Sequence, residues 1–320
     1  MTFRNILAYV DTRHLPADDV LQPCLASLAR LAAAHEATLT LCDVLEPPPS
    51  SSEAGTPDAR LSALRMRNAR DVLTRLAGQI GHIVWADRVV LVGNEFVQIT
   101  RHCMRHEVDL VACLSARERT SRHVATASHL VRKAPAAVWL MGGRRQCGRK
   151  HIAVAVDRDI FPASDFPQQM ANRLVEAAVA LSRDETATIE LVHAWSVYGA
   201  DLIEDAESGL DAAEVASYVD SQRYSHTLWL EEVHEYLRQC MAGNARGAVQ
   251  TRARLLEGPA IQTLSNWLAS AEPDVLVIGT LGTSATAGLF IGNTAEAILG
   301  ATHVPMLTLK PPGFRSPVEP

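Results

Sequence analysis

The chain has 320 residues, of which 48% are hydrophobic and 21% are charged, and its formal net charge is −6. This length predicts about two domains, and the hydrophobic fraction is sufficient for ordinary packed cores. The sequence has no run of 18 or more apolar residues, so we expect no membrane-spanning helix and no membrane partner. The N-terminal residues lack the charged and apolar regions of a signal peptide and lead directly into a predicted strand.

The six cysteines are scattered along the chain, form no CxxC pair and lie in several cases within apolar runs. This usage is typical of reduced thiols rather than of a disulfide framework. We therefore predict a cytoplasmic protein whose buried cysteines act as small hydrophobic residues, with a redox role as the alternative.

The two halves of the chain differ strongly in charge. Residues 1–150 carry 20 Lys+Arg and 14 Asp+Glu, a net charge of +6, whereas residues 151–320 carry 10 and 22, a net charge of −12. A basic half could indicate nucleic-acid binding, but its arginines are spread out and not interleaved with aromatic residues. We expect no nucleic-acid partner and interpret the asymmetry as an attraction between the halves.

Short, nearly continuous apolar runs predict strands that are buried on both faces of a parallel sheet. In the first half these runs are Ile6–Val10, Thr38–Val44, about 84–93, Asp109–Cys113 and Ala136–Leu140. Helices are predicted between them at about 18–35, about 57–80 and from Val97 to His102.

The second half repeats this order of elements. Its predicted strands are His151–Val156, Thr188–Ala194, about 249–256, Asp274–Ile278 and Val304–Leu309. Its predicted helices are about 165–183, about 212–242, Ile261–Asn266, which aligns with the helix from Val97, and Ala295–Leu299.

Strands that alternate with helices predict an α/β fold with two doubly wound, five-stranded parallel-sheet domains. The predicted domains are residues 1–143 and 151–312, joined by a Gly- and Arg-rich linker at 144–150 and followed by a tail at 313–320. The first strand of each half is followed by an aspartate, Asp11 or Asp157.

A glycine pattern follows the fourth strand of the second half. Gly279 and Gly282 are followed after nine residues by Gly292, Asn293 and Thr294, at the start of a predicted helix. Glycines allow backbone N–H groups to approach a phosphate closely, and a helix N-terminus adds partial positive charge. The pattern therefore predicts a phosphate-binding loop in the second half.

The first half has lost this pattern. The residues in place of the three glycines are Leu114, Arg117 and Val124, followed by Ala125 and Thr126. Their side chains would occupy the space of a phosphate, so we interpret the first cleft as degenerate, with binding of some other ligand, or an anion or partner contact at residues 117–122, as the alternative. Asp11 is then a turn former at the end of a strand, and residues 117–122 form an exposed loop.

The duplication, the glycine spacing, the strand end Val192–Ala194 and the loop Glu257–Pro259 together resemble the tandem universal stress protein family. The segments Phe290–Glu296 and Leu309–Pro317 are similar to the E-type tandem members of proteobacteria. The resemblance covers both halves. It implies two Rossmann-like domains, similar to adenine nucleotide alpha hydrolases, that pack as an intrachain pseudo-dimer through their last strands.

The resemblance also implies an adenine-nucleotide cleft at the carboxyl end of the second sheet, with ATP or another adenine nucleotide as ligand and Mg²⁺ bound with it. Asp157 would lie near the base or ribose, and Ala194 would line the adenine. The first two glycines would contact ribose and phosphates, and the last three residues would donate hydrogen bonds to phosphate. The implied binding residues are Asp157, Ala194, Gly279, Gly282, Gly292, Asn293 and Thr294.

Two positions depart from the family pattern. Asn293 replaces the Ser or Thr that follows the third glycine in ATP-binding members. Asp159 replaces a small hydroxyl residue and adds negative charge near a triphosphate, which a divalent cation would offset. Some members of the family do not bind ATP, so the ligand stays open at this point.

Other polar residues have simpler interpretations. His102 and His106 are spaced to share a metal on one helix, but the sequence supplies no third ligand, so we interpret them as a solvated helix face and predict no metal site. His193 lies within an apolar strand and is predicted to be a hydrogen-bonded core residue, with a contact in the cleft as the alternative.

The sequence contains none of the motifs GxxxxGK[ST], HxGH or SGGxDS, and no Ser/His/Asp set can be assigned to one cleft, so we name no catalytic residue. The favoured hypothesis is a non-enzymatic, ligand-responsive stress protein with a protein partner still to be identified, acting as a monomer or homodimer. One alternative is a slow ATP hydrolase or autokinase that uses Asp157 and Asp159. The other is a structural interaction protein without nucleotide.

Overall fold

The computed structural model describes the chain apart from residues 49–55, 115–120, 143–149, 159–165, 184, 200–208, 210, 243–247, 281–292 and 320, and apart from the side chains of 121–124, 166 and 293. The described residues form two compact units. The first contains those of residues 1–147 and 305–320, and the second contains those of 148–284 and 292–304. In the described parts of the chain, no helix is both long and apolar enough to cross a membrane.

The first unit contains a parallel sheet in the order β3-β2-β1-β4-β5. Its strands are β1 (Asn5–Val10), β2 (Thr38–Leu45), β3 (Ala86–Val92), β4 (Leu110–Leu114) and β5 (Ala137–Met141). Its helices are α1 (Asp18–His35), α2 (Pro57–Ile80), α3 (Glu95–Arg105) and α4 (Ser121–Lys133). The predicted five-stranded parallel sheet is confirmed for this half.

The second unit contains four parallel strands in the order β9-β6-β7-β8. The strands are β6 (Lys150–Ala155), β7 (Ala187–Trp195), β8 (Val249–Glu257) and β9 (Val275–Gly279). The helices are α5 (Phe166–Leu181), α6 (Ala212–Ala242), α7 (Ala260–Ala271) and α8 (Asn293–Ala301).

The last strand, β10 (Met306–Leu309), belongs to the first unit and pairs antiparallel with β5. Met306 lies opposite Leu140, and the Thr308 hydroxyl donates to the Val138 carbonyl at 3.2 Å. This confirms the predicted pairing of the last strands of the two repeats. The strand begins two residues later than predicted, directly after Pro305, whose nitrogen carries no hydrogen for a ladder bond. The domain boundaries at residues 143 and 151 remain predictions, because they concern which segments of the chain fold independently.

The repeat is visible in matching hydrogen bonds at the start of each sheet. The Asp109 carboxylate accepts from the backbone N–H of Asn5 at 3.0 Å, and the Asp274 carboxylate accepts from the backbone N–H of His151 at 2.7 Å. Each aspartate precedes the fourth strand of its repeat and fixes the beginning of the first strand. The core strands β1 and β6 begin at these hydrogen bonds. In β1, all residues from Ile6 to Val10 are buried.

A second match corrects the predicted alignment of two helices. Gly93 and Gly258 have φ of 138° and 130°, and their N–H groups donate to the carbonyls of Leu45 and Trp195 at 2.9 and 2.8 Å. This backbone conformation favours glycine, and the match places the buried Ile99 of α3 in correspondence with the buried Leu264 of α7. The sequence alignment of Val97 with Ile261 is therefore wrong by one residue.

Candidate functional site

Three of the predicted binding residues lie at one edge of the second sheet. Ala155 pairs with Val192 and with Ile278, so the chain positions just after them, which include Asp157, Ala194 and Gly279, lie at the carboxyl ends of adjacent parallel strands. Asp157 is exposed, whereas Ala194 and Gly279 are half-buried. The edge of an open parallel sheet at such strand ends is where ligands of α/β folds generally bind.

The other predicted binding residues follow β9. Gly282 and Gly292, like Asp159, lie outside the described residues. Asn293 begins α8, and Thr294 is half-buried in its first turn. The order of a buried strand, a glycine-containing connection and a helix start therefore agrees with the predicted arrangement, although the course of residues 281–292 is outside the described part.

A buried pair of histidines lies beneath this edge. The Nδ1 atom of His193 lies 3.1 Å from the Val156 carbonyl, and its Nε2 atom lies 2.9 Å from Nδ1 of His226 in α6. A carbonyl only accepts, so His193 donates from Nδ1; in its neutral form it then accepts at Nε2 from His226. Burial lowers the pKa of His193 to about 4, which keeps the ring neutral at pH 7. The prediction of a hydrogen-bonded core histidine is confirmed.

Helix α6 is attached to the same edge by further contacts. Arg158, directly after Asp157, donates to the Ser225 hydroxyl at 2.6 Å. The ring centroid of His226 lies 5.3 Å from that of Trp195, and the His193 ring lies 5.0 Å from Trp229 in an edge-on arrangement. A packed cluster of histidine and tryptophan rings thus lies beneath the ends of β6 and β7 and holds them in place.

The corresponding edge of the first unit is closed by an ionic network. Arg13 donates to Asp11 through its backbone N–H at 3.1 Å and through Nε at 3.0 Å, and its Nη2 atom donates to Glu95 at 3.1 Å. Asp11 and Glu95 are buried, and Arg13 is about three-quarters buried. The guanidinium therefore occupies the space between the end of β1 and the start of α3.

Further polar residues complete the first network. Thr126, the counterpart of Thr294, donates to Glu95 at 2.7 Å, and Thr12 donates to the buried Asp43 at 2.6 Å. Burial raises the pKa of Asp43. The buried Tyr9 hydroxyl has no hydrogen-bond partner among the described residues, and burial together with the nearby carboxylates raises its pKa strongly.

Leu114 stands where the second repeat has Gly279, and it is buried. Arg117 lies outside the described residues, and Val124 lies within α4 with its side chain not described. Ala125 is exposed. The predicted loop at 117–122 is too long by at least two residues, because Ser121 and Arg122 already belong to α4.

The histidines of α3 lie side by side, with the ring centroids of His102 and His106 4.2 Å apart. Burial, His106 and Arg105 lower the pKa of His102 to about 4. Cys103 is buried on the core side, and in the described parts of the chain no group of three His, Cys, Asp or Glu residues could hold a metal ion.

The described cysteines are free thiols. Burial raises the pKa values of Cys103 and Cys113 to about 12 and that of Cys42 well above its usual range. These groups are thiols rather than thiolates at pH 7, which is the behaviour of small hydrophobic core residues.

Sequence reasoning missed Arg13, Glu95, Ser225 and His226 as members of these two sites. Their partners are 31 to 82 residues away in sequence, apart from the Arg13–Asp11 bond. The only available signal was the aligned pair Asp43 and His193, two polar residues at one buried position of the repeat.

The fold and the two strand-end sites define an α/β protein built from two Rossmann-like repeats. Residues 2–141 and 148–310 each match the Universal stress protein family, so the chain belongs to this family as a tandem member.

Curated relatives include "Universal stress protein E" of Escherichia coli K12, 24% identical over 196 residues, which are 60% of this chain and 56% of the relative. The protein of the same name from Salmonella typhi is 25% identical over 197 residues, with the same coverage of 60% and 56%. The match thus spans little more than half the length of these curated relatives.

Solved structures support the fold. A functionally unknown protein from Pseudomonas aeruginosa PAO1 has a TM-score of 0.57 at 19% identity, covering 97% of this chain and 93% of the other. A universal stress protein from Archaeoglobus fulgidus has a TM-score of 0.57 at 14% identity, with 99% of each chain covered.

Proposed function

We propose that this protein is a ligand-responsive regulator, without catalytic activity of its own, that binds one adenine nucleotide in its second unit. The observation that carries the proposal is the difference between the two strand ends. Gly279 ends β9 without a side chain, whereas the buried Leu114 and the Arg13 network fill the corresponding edge of the first unit. Membership of the family supports a nucleotide as the ligand.

Each predicted residue has a definite part in this proposal. The exposed Asp157 carboxylate accepts a hydrogen bond from a ribose hydroxyl or the adenine amino group, and Ala194 leaves room for the base. The N–H groups at the start of α8 face the phosphates, where the helix dipole favours negative charge. Asp157 together with Asp159 would hold Mg²⁺, which prefers carboxylate oxygens and offsets the added negative charge near the phosphates.

The proposal is tested by calorimetry of the full chain with ATP and Mg²⁺. Gly292→Val copies Val124 of the first repeat, so the fold should tolerate it, but the new side chain would occupy the anion's place. Loss of a few charge-assisted hydrogen bonds, each worth roughly 1.5–3 kcal/mol, should weaken binding by about a hundredfold or more.

The matched control is Gly300→Val, the same change later in α8. A Cβ atom built at Gly300 meets no atom within 4 Å, so this variant should bind ATP as the unmodified protein does. Absence of binding by the unmodified chain, or equal affinity in Gly292→Val with an intact fold, would overturn the proposal.

The cytoplasmic location is part of the same proposal. Four of the five free cysteines in the described residues are buried, which agrees with a reducing compartment. Cell fractionation tests it: recovery of the protein with the soluble cytoplasmic fraction is expected, and recovery with a membrane or extracellular fraction would contradict it.

A further inference from the structure

The N-terminal half of α2 is an exposed stretch of helix. No residue from Pro57 to Asn68 is buried, and the core contacts of α2 come from later residues such as Leu73 and Leu76. A helix without tertiary packing is only marginally stable in water, so an uncovered half of this length favours an additional contact.

The exposed face of α2 combines apolar and basic side chains. Leu61 and Leu64 are 56% and 50% exposed, and Arg60, Leu64 and Arg67 follow one another at spacings of four and three residues on one side of the helix. The helix carries five arginines and two aspartates, a net charge of +3, and among the described residues none of the five guanidinium groups has an ion pair. We call Arg60, Leu61, Leu64, Arg67 and Arg75 the α2 surface.

Helix α6, at the equivalent position in the second repeat, has the complementary character. No residue from Ala212 to Ser225 is buried, and Tyr224 and Leu228 are 64% and 42% exposed. Its five acidic and two basic residues give a net charge of −3. We call Asp220, Tyr224, Leu228, Glu231 and Glu232 the α6 surface.

These two surfaces match in kind. Each has two large apolar side chains with charged residues beside them at spacings of three or four along one helix face. The net charges of the two helices have opposite signs, and the oppositely charged residues within the faces are Asp71, four residues after Arg67, and Arg223, which pairs with Asp220 at 3.7 Å. Apolar contact supplies affinity, and opposite charges guide association and set the register of the partners. Both surfaces are exposed on the same chain, so a second copy presents the partner that each surface needs.

We propose that the protein self-associates through these helices, with the α2 surface of one copy bound to the α6 surface of another. The contact joins two different patches, one from each copy. The partner is a second copy of this chain rather than a nucleic acid, which would leave the apolar side chains of α2 and the whole α6 surface uncovered.

The proposal is tested by analytical ultracentrifugation of the full chain at low and high salt. Association should be present at 50 mM salt and weaken by about tenfold or more at 0.5 M, because salt screens exposed charges. Arg60→Glu with Arg67→Glu should abolish self-association, and so should Glu231→Lys with Glu232→Lys, because each variant places like charges opposite one another.

The deciding experiment mixes the two variants. The α2 surface of the first variant is acidic and the α6 surface of the second variant is basic, so these two surfaces attract each other. The unmodified surfaces of the two variants are also complementary. The mixture should therefore associate, although neither variant does alone. The matched control for the α2 variant is Arg105→Glu with Arg315→Glu, which changes the net charge by the same amount and in the same direction at exposed arginines outside both surfaces and should leave association unchanged.

Circular dichroism verifies that each variant is folded. A chain that stays monomeric at all concentrations would overturn the proposal, as would association that is unaffected by the charge reversals or a mixture that remains monomeric. Binding of a nucleic acid by a monomeric chain, lost on reversal of Arg60 and Arg67, would assign the α2 surface to that partner and also contradict self-association.

Discussion

The second strands of the two repeats carry different polar residues at the same buried position, Asp43 in β2 and His193 in β7. Asp43 accepts from Thr12 at 2.6 Å, and the neighbouring residue Arg13 bridges Asp11 and Glu95 across the edge of the sheet. His193 instead contacts the Val156 carbonyl and His226 of α6. The two repeats therefore differ in the residue at this buried position, and they also differ in the interactions that cover their strand ends.

The two repeats thus end their sheets with different interactions. In the first unit the Arg13 guanidinium lies between the buried carboxylates of Asp11 and Glu95 and fills the space between the end of β1 and the start of α3. In the second unit the buried polar side chain of His193 bonds instead to α6, and Asp157 is exposed at the edge of the sheet.

The largest effect is expected from removing Arg13. Arg13→Ala removes the guanidinium that bridges the buried carboxylates of Asp11 and Glu95, while His14 stays 3.1 Å from Asp11 and Thr126 stays bonded to Glu95; breaking a buried bridge of this kind should cost about 3 kcal/mol of unfolding free energy. Urea unfolding of the full chain measures it. The control is Arg238→Ala, whose partner Glu235 is as exposed as Arg238 itself, and no measurable change is expected there because water screens an exposed pair. Equal effects of the two substitutions would mean that the first network is not buried in solution.

Acid should weaken the second unit. The pKa of His193 is lowered in the fold to about 4, so the unfolded chain binds a proton first, and stability present above pH 6.5 is lost as the pH falls to about 4. The loss amounts to about 3 kcal/mol, and burial of His226, whose pKa is also lowered, adds to it. Hydrogen exchange of β7, corrected for the intrinsic effect of pH, should show loss of protection over this range. Protection that stays constant from pH 7 to 4 would contradict the buried neutral pair.

The smallest effect is expected from Asp43. Its contribution to stability changes with pH in the opposite direction to that of His193. Its pKa is raised in the fold, so the protonated form is favoured and this group adds stability as the pH falls. Asp43→Asn should remove this pH dependence from the first unit and change stability at pH 7 by less than about 1 kcal/mol, since the amide can still bond Thr12 and Val44. Urea unfolding at pH 5 and 7 measures it. A loss of several kcal/mol at pH 7 would show that the charged carboxylate is required.

The strands could be predicted from the sequence because a strand buried on both faces is apolar along its whole length, as β1 and β9 are. The duplication then showed that both halves contain the same order of elements along the chain. The alignment of α3 with α7 was one residue out, because helical periodicity alone tolerates a shift that the positive φ of Gly93 and Gly258 does not.

The networks at the strand ends could not be predicted in the same way. Arg13 contacts Glu95 from 82 residues away, and His193 contacts His226 from 33 residues away. Neither contact repeats with the period of a helix or strand. Predicting them requires the relative positions of separate elements, which composition and spacing do not provide.

The proposed function requires that one strand-end site per chain, the one in the second unit, binds a nucleotide. Native mass spectrometry of the full chain with ATP and Mg²⁺ tests it most directly, because bound nucleotides are counted for each chain whatever the oligomeric state. We predict one nucleotide per chain, and none in Gly292→Val under the same conditions. Two nucleotides per chain, or one that persists in Gly292→Val, would contradict the account.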